Sequence, residues 1–290
     1  MNTKIKSSLL LLLVAVIWGF AFAFQSMGAD YVGAFTFFSF RNYFAVASML
    51  VILYLFKNKE KNYDLKLSIY YGLFAGVIEC IASLLQQFSI EYTTAANCSF
   101  ITAAYVVCVP VCGLFIGKKT DVKTWLCVAL EFVGLYLLCV KNGFSAINKG
   151  DLLAMACAVM FAIHILCIDK GGDKIDALIF CTIQFAVCAV MSTILMFIFE
   201  TPISLSNVKM ALIPLMYTGI LSSAVCLSIQ VSVQRNLDPT IASIIMCFES
   251  VFGAVGGWLI LKEFMTMKEI FGAFIMFVAV VLSQISFKKK

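Results

Sequence analysis

Ten long apolar runs follow one another along the chain, separated by short polar stretches. Each run has about the 20 residues that an α-helix needs to cross the hydrocarbon core of a bilayer. The polar stretches contain lysines, acidic residues and turn formers, as in residues 57–66 and 236–239. The pattern predicts ten membrane-spanning helices, near residues 7–27, 33–56, 67–90, 95–117, 122–140, 150–168, 176–199, 208–231, 239–261 and 268–287.

The composition agrees with this pattern. Of the 290 residues, 62% are hydrophobic and only 13% are charged, whereas soluble domains average about 45–50% apolar and about 25% charged residues. Ten spans of about 20 residues use about 200 residues and leave no room for a soluble domain. We therefore expect an all-α, multi-pass membrane protein whose first partner is the lipid bilayer.

The basic residues indicate how the chain sits in the membrane. If the N-terminus is cytoplasmic, 15 of the 21 lysines and arginines fall in tails and loops on the cytoplasmic side. Five fall on the opposite side, and Arg41 lies inside a span. Because cytoplasmic loops carry the excess of positive charge, we predict that both termini face the cytoplasm.

The two halves of the chain repeat the same order of features at an offset of about 143 residues. This offset places Trp18 on Phe161, Arg41 on Gln184 and Gln87 on Gln230. Five spans per half is an odd number, so the halves, 1–143 and 144–290, enter the membrane from opposite sides. Inverted repeats around a midplane site are typical of transporters, although a duplication without transport would look the same.

Several ionisable residues are predicted to lie inside spans, where they are costly and normally face the protein interior or water. They are Arg41, Glu79, Glu131, Glu249 and the single histidine, His164. Their balance is acidic, which favours a cationic or zwitterionic ligand or carboxylates that take up protons. Glu131 lies in a span that otherwise resembles a peripheral packing helix.

Polar, aromatic and small residues recur at helical spacing on one side of the first, third, fourth, eighth and ninth spans. Small residues also let membrane helices pack closely, so we interpret the glycines of these stripes as packing positions. Aromatic rings beside carboxylates suit an ammonium group. The candidate substrate-binding residues are Trp18, Phe22, Arg41, Glu79, Gln86, Asn97, Tyr105, Phe161, His164, Gln184, Gln230 and Glu249.

The usual motifs of other functions are missing from the sequence. With one histidine and no Cys-x-x-Cys pair among 12 cysteines, there is no metal-ligand spacing. Residues 113–119 fall one residue short of a phosphate-binding loop, and no familiar catalytic motif occurs. We expect no cofactor, metal site, catalytic residue or nucleic-acid partner.

The chain resembles the ten-helix, EamA-type members of the drug/metabolite transporter superfamily along nearly its whole length. The resemblance rests on Trp18-Gly19, Phe37-x-x-x-Arg41, the segment from Tyr92 to Ala96, the segment from Tyr105 to Pro110 with Gly117-Lys118-Lys119, and the segment from Glu249 to Glu263. These diffuse patterns identify the family but not a substrate.

The resemblance implies a secondary transporter of small metabolites, amino acids or drugs in the cytoplasmic membrane, with export as the favoured direction. It implies a cavity lined by spans 1–4 and 6–9, with spans 5 and 10 peripheral. A coupling proton or cation would be a second partner, and a homodimer is one open oligomeric state. The alternatives are a non-transporting scaffold or sensor and an intramembrane enzyme.

Three positions depart from the family pattern. Ser250 stands where such proteins often have proline, and Lys262 where they often have glycine, so the resemblance leaves open whether the ninth span is kinked and how its exit loop is built. Glu79 occupies a stretch that is usually small or apolar. If Glu79 faces the cavity, it bears on this chain's own substrate.

Overall fold

The computed structural model describes residues 3–56, 63–93, 95–139, 148–200, 204–260 and 266–284. Within these ranges the regular structure is helical, without β-strands. The helices are α1 (Thr3–Ala29), α2 (Ala34–Phe56), α3 (Leu65–Tyr92), α4 (Ala95–Ala103), α5 (Tyr105–Phe115), α6 (Val122–Cys139), α7 (Lys149–Gly171), α8 (Ala177–Phe199), α9 (Leu205–Met210), α10 (Leu212–Met216), α11 (Cys226–Gln234), α12 (Pro239–Met246), α13 (Glu249–Ile260) and α14 (Met267–Gln284), with a 3-10 turn over Gly172–Lys174 and a π-helix over Tyr217–Val225.

Nine helical segments in the described ranges are long and apolar enough to cross a membrane. The remaining predicted span corresponds to α6, a helix of 18 residues. The protein is thus an all-helical, multi-pass membrane protein, while the count of ten spans and the orientation of the termini stay predictions. Lys262 and the lysines within 57–62 lie outside the described residues.

Three of the spanning segments are interrupted near their middle. α4 and α5 are separated at Ala104, and α12 and α13 at Cys247–Phe248. Proline lacks an N–H and its ring clashes with the carbonyl four residues earlier, so Pro110 weakens the turn at Val106, directly after the interruption at Ala104. The second interruption contains no proline, and the backbone there makes bonds between residues three apart, such as that from the Ser250 amide to the Cys247 carbonyl at 3.1 Å. The departure at Ser250 therefore does not remove the kink.

The π-helix of the third interrupted segment follows Pro214 by one turn. The Thr218 hydroxyl donates to the Pro214 carbonyl at 2.7 Å. The indole N–H of Trp18 donates to the carbonyl of Ser222, within the π-helix, at 2.8 Å. Side chains therefore satisfy carbonyl groups beside the widened turns, as membrane helices require.

Glycines allow the helices that carry the polar residues to approach closely. A Cβ on Gly72 or Gly76 of α3 would press against carbonyl oxygens of α8, and a Cβ on Gly19 of α1 would press against α13 at the Glu249 carbonyl. These contacts place Glu79, one turn beyond Gly76, beside α8. α6 and α14 pack mainly against each other.

An apolar cluster, here called the plug, fills the half of the molecule where α1 begins. It joins α1, α5, α7, α11 and α12, and its side chains include Leu11, Val109 and Val233. Ile165 and Met246 belong to the plug and also line the central cavity described below. The plug is therefore the floor of that cavity.

Candidate functional site

A central cavity lies midway along the spanning helices. Its empty volume is about 670 Å³, including space continuous with solvent. It is lined from both halves of the chain, by α1, α2, α3, α5, α7, α8, α11, α12, α13 and the π-helix. Ten of the twelve candidate residues line it: Trp18, Phe22, Arg41, Glu79, Gln86, Tyr105, Phe161, His164, Gln230 and Glu249.

Glu79 is the centre of a polar cluster that joins α3 to α7. Its Oε1 atom accepts a hydrogen bond from the Ser83 hydroxyl at 2.9 Å. Its Oε2 atom lies 3.8 Å from Nε2 of His164, and the same nitrogen lies 2.9 Å from Oε1 of Gln184 in α8. Glu79 and Glu249, the two glutamates among the candidate residues, both line this cavity.

Arg41 brings a positive charge from α2 to the same cavity, although it is only 8% exposed. Its Nε donates to the Ser223 hydroxyl at 2.9 Å, and Nη1 lies 3.5 Å from Oε1 of Gln25. Its guanidinium is 5.8 Å from the centre of the Phe38 ring. Among the described residues, no carboxylate oxygen lies within 4.0 Å of this guanidinium. Because a buried charge is costly without a partner, the group is suited to an anionic part of a ligand.

Glu249 is the first residue of α13, directly after the interruption at Cys247–Phe248. It is 5% exposed, and the Tyr105 ring is its neighbour from α5. Two buried polar atoms at the cavity, the Tyr105 hydroxyl and Oε1 of Gln230, make no hydrogen bond of good geometry in the described part of the chain, although that hydroxyl lies near the Glu249 carboxylate. Such atoms are available to a ligand or to water.

Two candidates are not part of the described lining. Gln184 is fully buried behind His164, because α8 packs tightly on α3 at this level. Asn97 belongs to α4, but its side chain lies outside the described residues. Glu131, the other glutamate inside a span, is fully buried within α6 and is not among the residues that line the cavity.

Four polar lining residues were not among the candidates: Gln25, Ser83, Ser222 and Ser223. Gln25, Ser83 and Ser223 lie on the polar stripes of their helices, which was the available signal. Ser222 could not be found in this way. The π-helix has more residues per turn than an α-helix and turns two consecutive serines toward the cavity.

The fold and the cavity together define a multi-pass membrane protein with a charged, aromatic-walled cavity midway along its spanning helices. The model of the EamA-like transporter family matches residues 5–140 and 148–284. The chain therefore belongs to the EamA-like transporter family, and it is a membrane transporter. Membership of this family indicates a transporter rather than an enzyme.

Individual relatives agree with this assignment. The chain is 28% identical over 283 residues to an uncharacterized transporter of Archaeoglobus fulgidus, covering 96% of this chain and 86% of the relative. It is 20% identical over 298 residues to the uncharacterized transporter YoaV of Bacillus subtilis, covering 99% of each. A solved crystal structure shares the fold with a TM-score of 0.78 at 10% identity, covering 96% of this chain and 98% of the other.

Proposed function

We propose that the protein is a secondary transporter that exports a small cationic or zwitterionic metabolite through the central cavity by alternating access. In this proposal ten spanning helices form two inverted repeats, 1–143 and 144–290, with both termini in the cytoplasm. An amino acid or an organic amine is the substrate class. Export is the direction that the family resemblance favours, and the experiments below measure both directions.

The packing supports the inverted repeat. At the offset of 143 residues α2 corresponds to α8 and α6 to α14, and the members of each pair pack on each other. The same offset relates the interruption at Ala104 to the one at Cys247, and the Cys247 thiol donates to the carbonyl of Ala103 at 3.6 Å. Trp18 and its counterpart Phe161 both line the cavity. A cavity shared between two related halves is the arrangement that alternating access uses.

The observation that carries the proposal is that one apolar-walled cavity contains both signs of charge, a guanidinium from Arg41 and the carboxylates of Glu79 and Glu249. Arg41 offers hydrogen-bond donors to a carboxylate, while Glu79 and Glu249 can bind an ammonium group. Trp18 and Phe161 supply aromatic faces, which also attract cations. A zwitterion with a short apolar side chain would use both signs of charge, and an amine would use the carboxylates alone.

Matched ligand pairs test which charges are used. Leucine and isopentylamine differ only in the carboxylate, as do phenylalanine and phenylethylamine. We expect at least one member of these pairs to raise the thermal unfolding temperature of the purified protein. R41Q should remove the preference for the amino acid over its amine, and E79Q or E249Q should weaken both. The matched control is E131Q, because Glu131 is a buried glutamate that lies outside the described cavity lining.

Flux measurements in liposomes then separate transport from binding alone. Purified protein is reconstituted, and uptake and efflux of a broad panel of amino acids, amines and drugs are followed under imposed pH, sodium and voltage gradients. The proposal is supported if the wild type and E131Q transport a substrate and R41Q or E79Q does not. Binding without any flux would indicate a sensor, and the transporter proposal would then be wrong.

A further inference from the structure

Three polar side chains from three helices form a continuous chain from the cavity into the core. Glu79 of α3 and His164 of α7 are 3.8 Å apart at Oε2 and Nε2. His164 and Gln184 of α8 are 2.9 Å apart at Nε2 and Oε1. Glu79 and His164 line the cavity, whereas Gln184 is fully buried behind them. One imidazole nitrogen thus lies between a carboxylate and a carboxamide.

The carboxamide of Gln184 can serve this nitrogen in two ways. Its Oε1 accepts from Nε2–H of His164 in the orientation described, and its amide nitrogen has no partner among the described residues. A carboxamide is an acceptor at one end and a donor at the other, so a rotation of 180° would let it donate to an unprotonated Nε2. Because no described group holds the amide nitrogen, this rotation breaks no other hydrogen bond.

We propose that Glu79 and His164 hold one exchangeable proton in the cavity, and that Gln184 is the positioning residue that keeps His164 in place in both protonation states. The use of this proton rests on the proposed transport function, in which it is exchanged against the cationic group of the substrate. The ligand of this site is the proton itself.

The transfer step is balanced in atoms and charge. The N–H bond at Nε2 of a His164 imidazolium breaks, and an O–H bond forms at Oε2 of Glu79. A neutral imidazole with hydrogen on Nδ1 and a neutral carboxylic acid remain. Charge-assisted hydrogen bonds are about 2.7–2.9 Å long, so the 3.8 Å gap closes by a side-chain movement of about 1 Å.

The surroundings of Glu79 contain few other charges. The charged and titratable groups that face it are Arg41 from α2, His164 and Cys157 from α7, Cys181 and Cys188 from α8, with Tyr105 of α5 and Glu249 of α13 across the same cavity. Arginine stays protonated in proteins, so Arg41 offsets the charge of Glu79 only while Glu79 is ionised. When Glu79 carries the proton, Arg41 has no negative charge from Glu79 beside it, and an anionic group of the substrate can then bind to Arg41.

The single histidine of the chain allows a direct test without a substrate. Protein labelled with ¹⁵N-histidine and placed in lipid nanodiscs gives the NMR signals of one imidazole, which distinguish hydrogen on Nδ1, on Nε2 or on both. We expect the pH midpoint of these signals to differ between E79Q and the wild type, because E79Q removes the carboxylate that lies beside the imidazole. Q184L should broaden or weaken these signals at every pH, because the imidazole loses the hydrogen bond that fixes its orientation in both protonation states. E131Q should change neither.

Each part of the proposal has its own contrary result. If the midpoint is the same in the wild type, E79Q and E131Q, Glu79 and His164 share no proton. If the imidazole signals of Q184L are as sharp and as intense as those of the wild type, Gln184 does not position His164. Thermal unfolding checks that each variant is folded, and Q184M of similar length replaces Q184L if the latter is not. The NMR result is independent of flux, so the proton site can fail while transport persists, and the reverse.

Discussion

The close approach of α3 and α8 at Gly76 leads to a quantitative prediction for the variant G76A. A methyl group on Gly76 would lie 2.8 Å from Cβ of Val187 and 3.0 Å from the carbonyl oxygen of Gln184. Both atoms are fixed to the backbone of α8, so neither can rotate away. The two helices would have to move apart, and overpacking of this kind costs about 1–3 kcal/mol.

Part of this cost is offset, because alanine is favoured over glycine inside a helix by about 0.5–1 kcal/mol. From the middle of these two ranges we expect a net loss of about 1 kcal/mol for G76A, which corresponds to about 2–4 °C in unfolding temperature. G113A is the matched control in α5, since the nearest atom to its added methyl group, Cβ of Lys118, is an ordinary 3.5 Å away. G113A should be as stable as the wild type or slightly more stable.

Thermal unfolding of the purified variants in one detergent measures both effects. A G76A protein that unfolds at the same temperature as G113A would show that α3 and α8 are not in close contact at this level. The position of Glu79 beside α8, one turn from Gly76, would then also be wrong. A loss of stability in both variants would point to a general intolerance of substitution instead.

Three further stability predictions use the same thermal assay. Glu200, at the end of α8, accepts three hydrogen bonds of 2.6–2.9 Å from backbone and hydroxyl groups at the start of α2, so E200A should cost about 1–3 kcal/mol; a neutral result would refute this capping role. Asn148 and Asp151 form a capping box at the start of α7, and N148A should cost about 1 kcal/mol. Lys118 pairs with Asp169 at 2.6 Å, but its side chain is 36% exposed. K118M should therefore cost less than about 1 kcal/mol, and a larger loss would indicate a desolvated pair.

The spanning helices follow from the sequence because the bilayer imposes their length. The run predicted near 67–90 corresponds to Leu65–Tyr92, and the run near 33–56 to Ala34–Phe56. Charged residues inside such runs are too costly to face lipid. For this reason the sequence alone indicated that Arg41, Glu79 and Glu249 face the interior, and all three line the cavity.

The local geometry of the site depends on contacts that a single sequence does not show. Whether Gln184 faces the cavity or the core depends on how closely α8 approaches α3. The glycines of α3, Gly72 and Gly76, determine that distance. The π-helix that turns Ser222 into the cavity lies beside Trp18, a residue 204 positions away. Such pairings between distant residues are set by tertiary packing, and helical periodicity carries no information about them.

The plug has a thermodynamic consequence for the proposed transport cycle. A state of the cavity that opens through its floor must separate buried side chains such as Leu11, Val109 and Val233, each of which is stabilised by roughly 1.5–3 kcal/mol on burial. Exposing apolar surface to water raises the heat capacity, and the hydrophobic effect that opposes it weakens on cooling. The balance between the two orientations of the cavity should therefore vary with temperature along a curve, and cooling should favour the state in which the plug is apart.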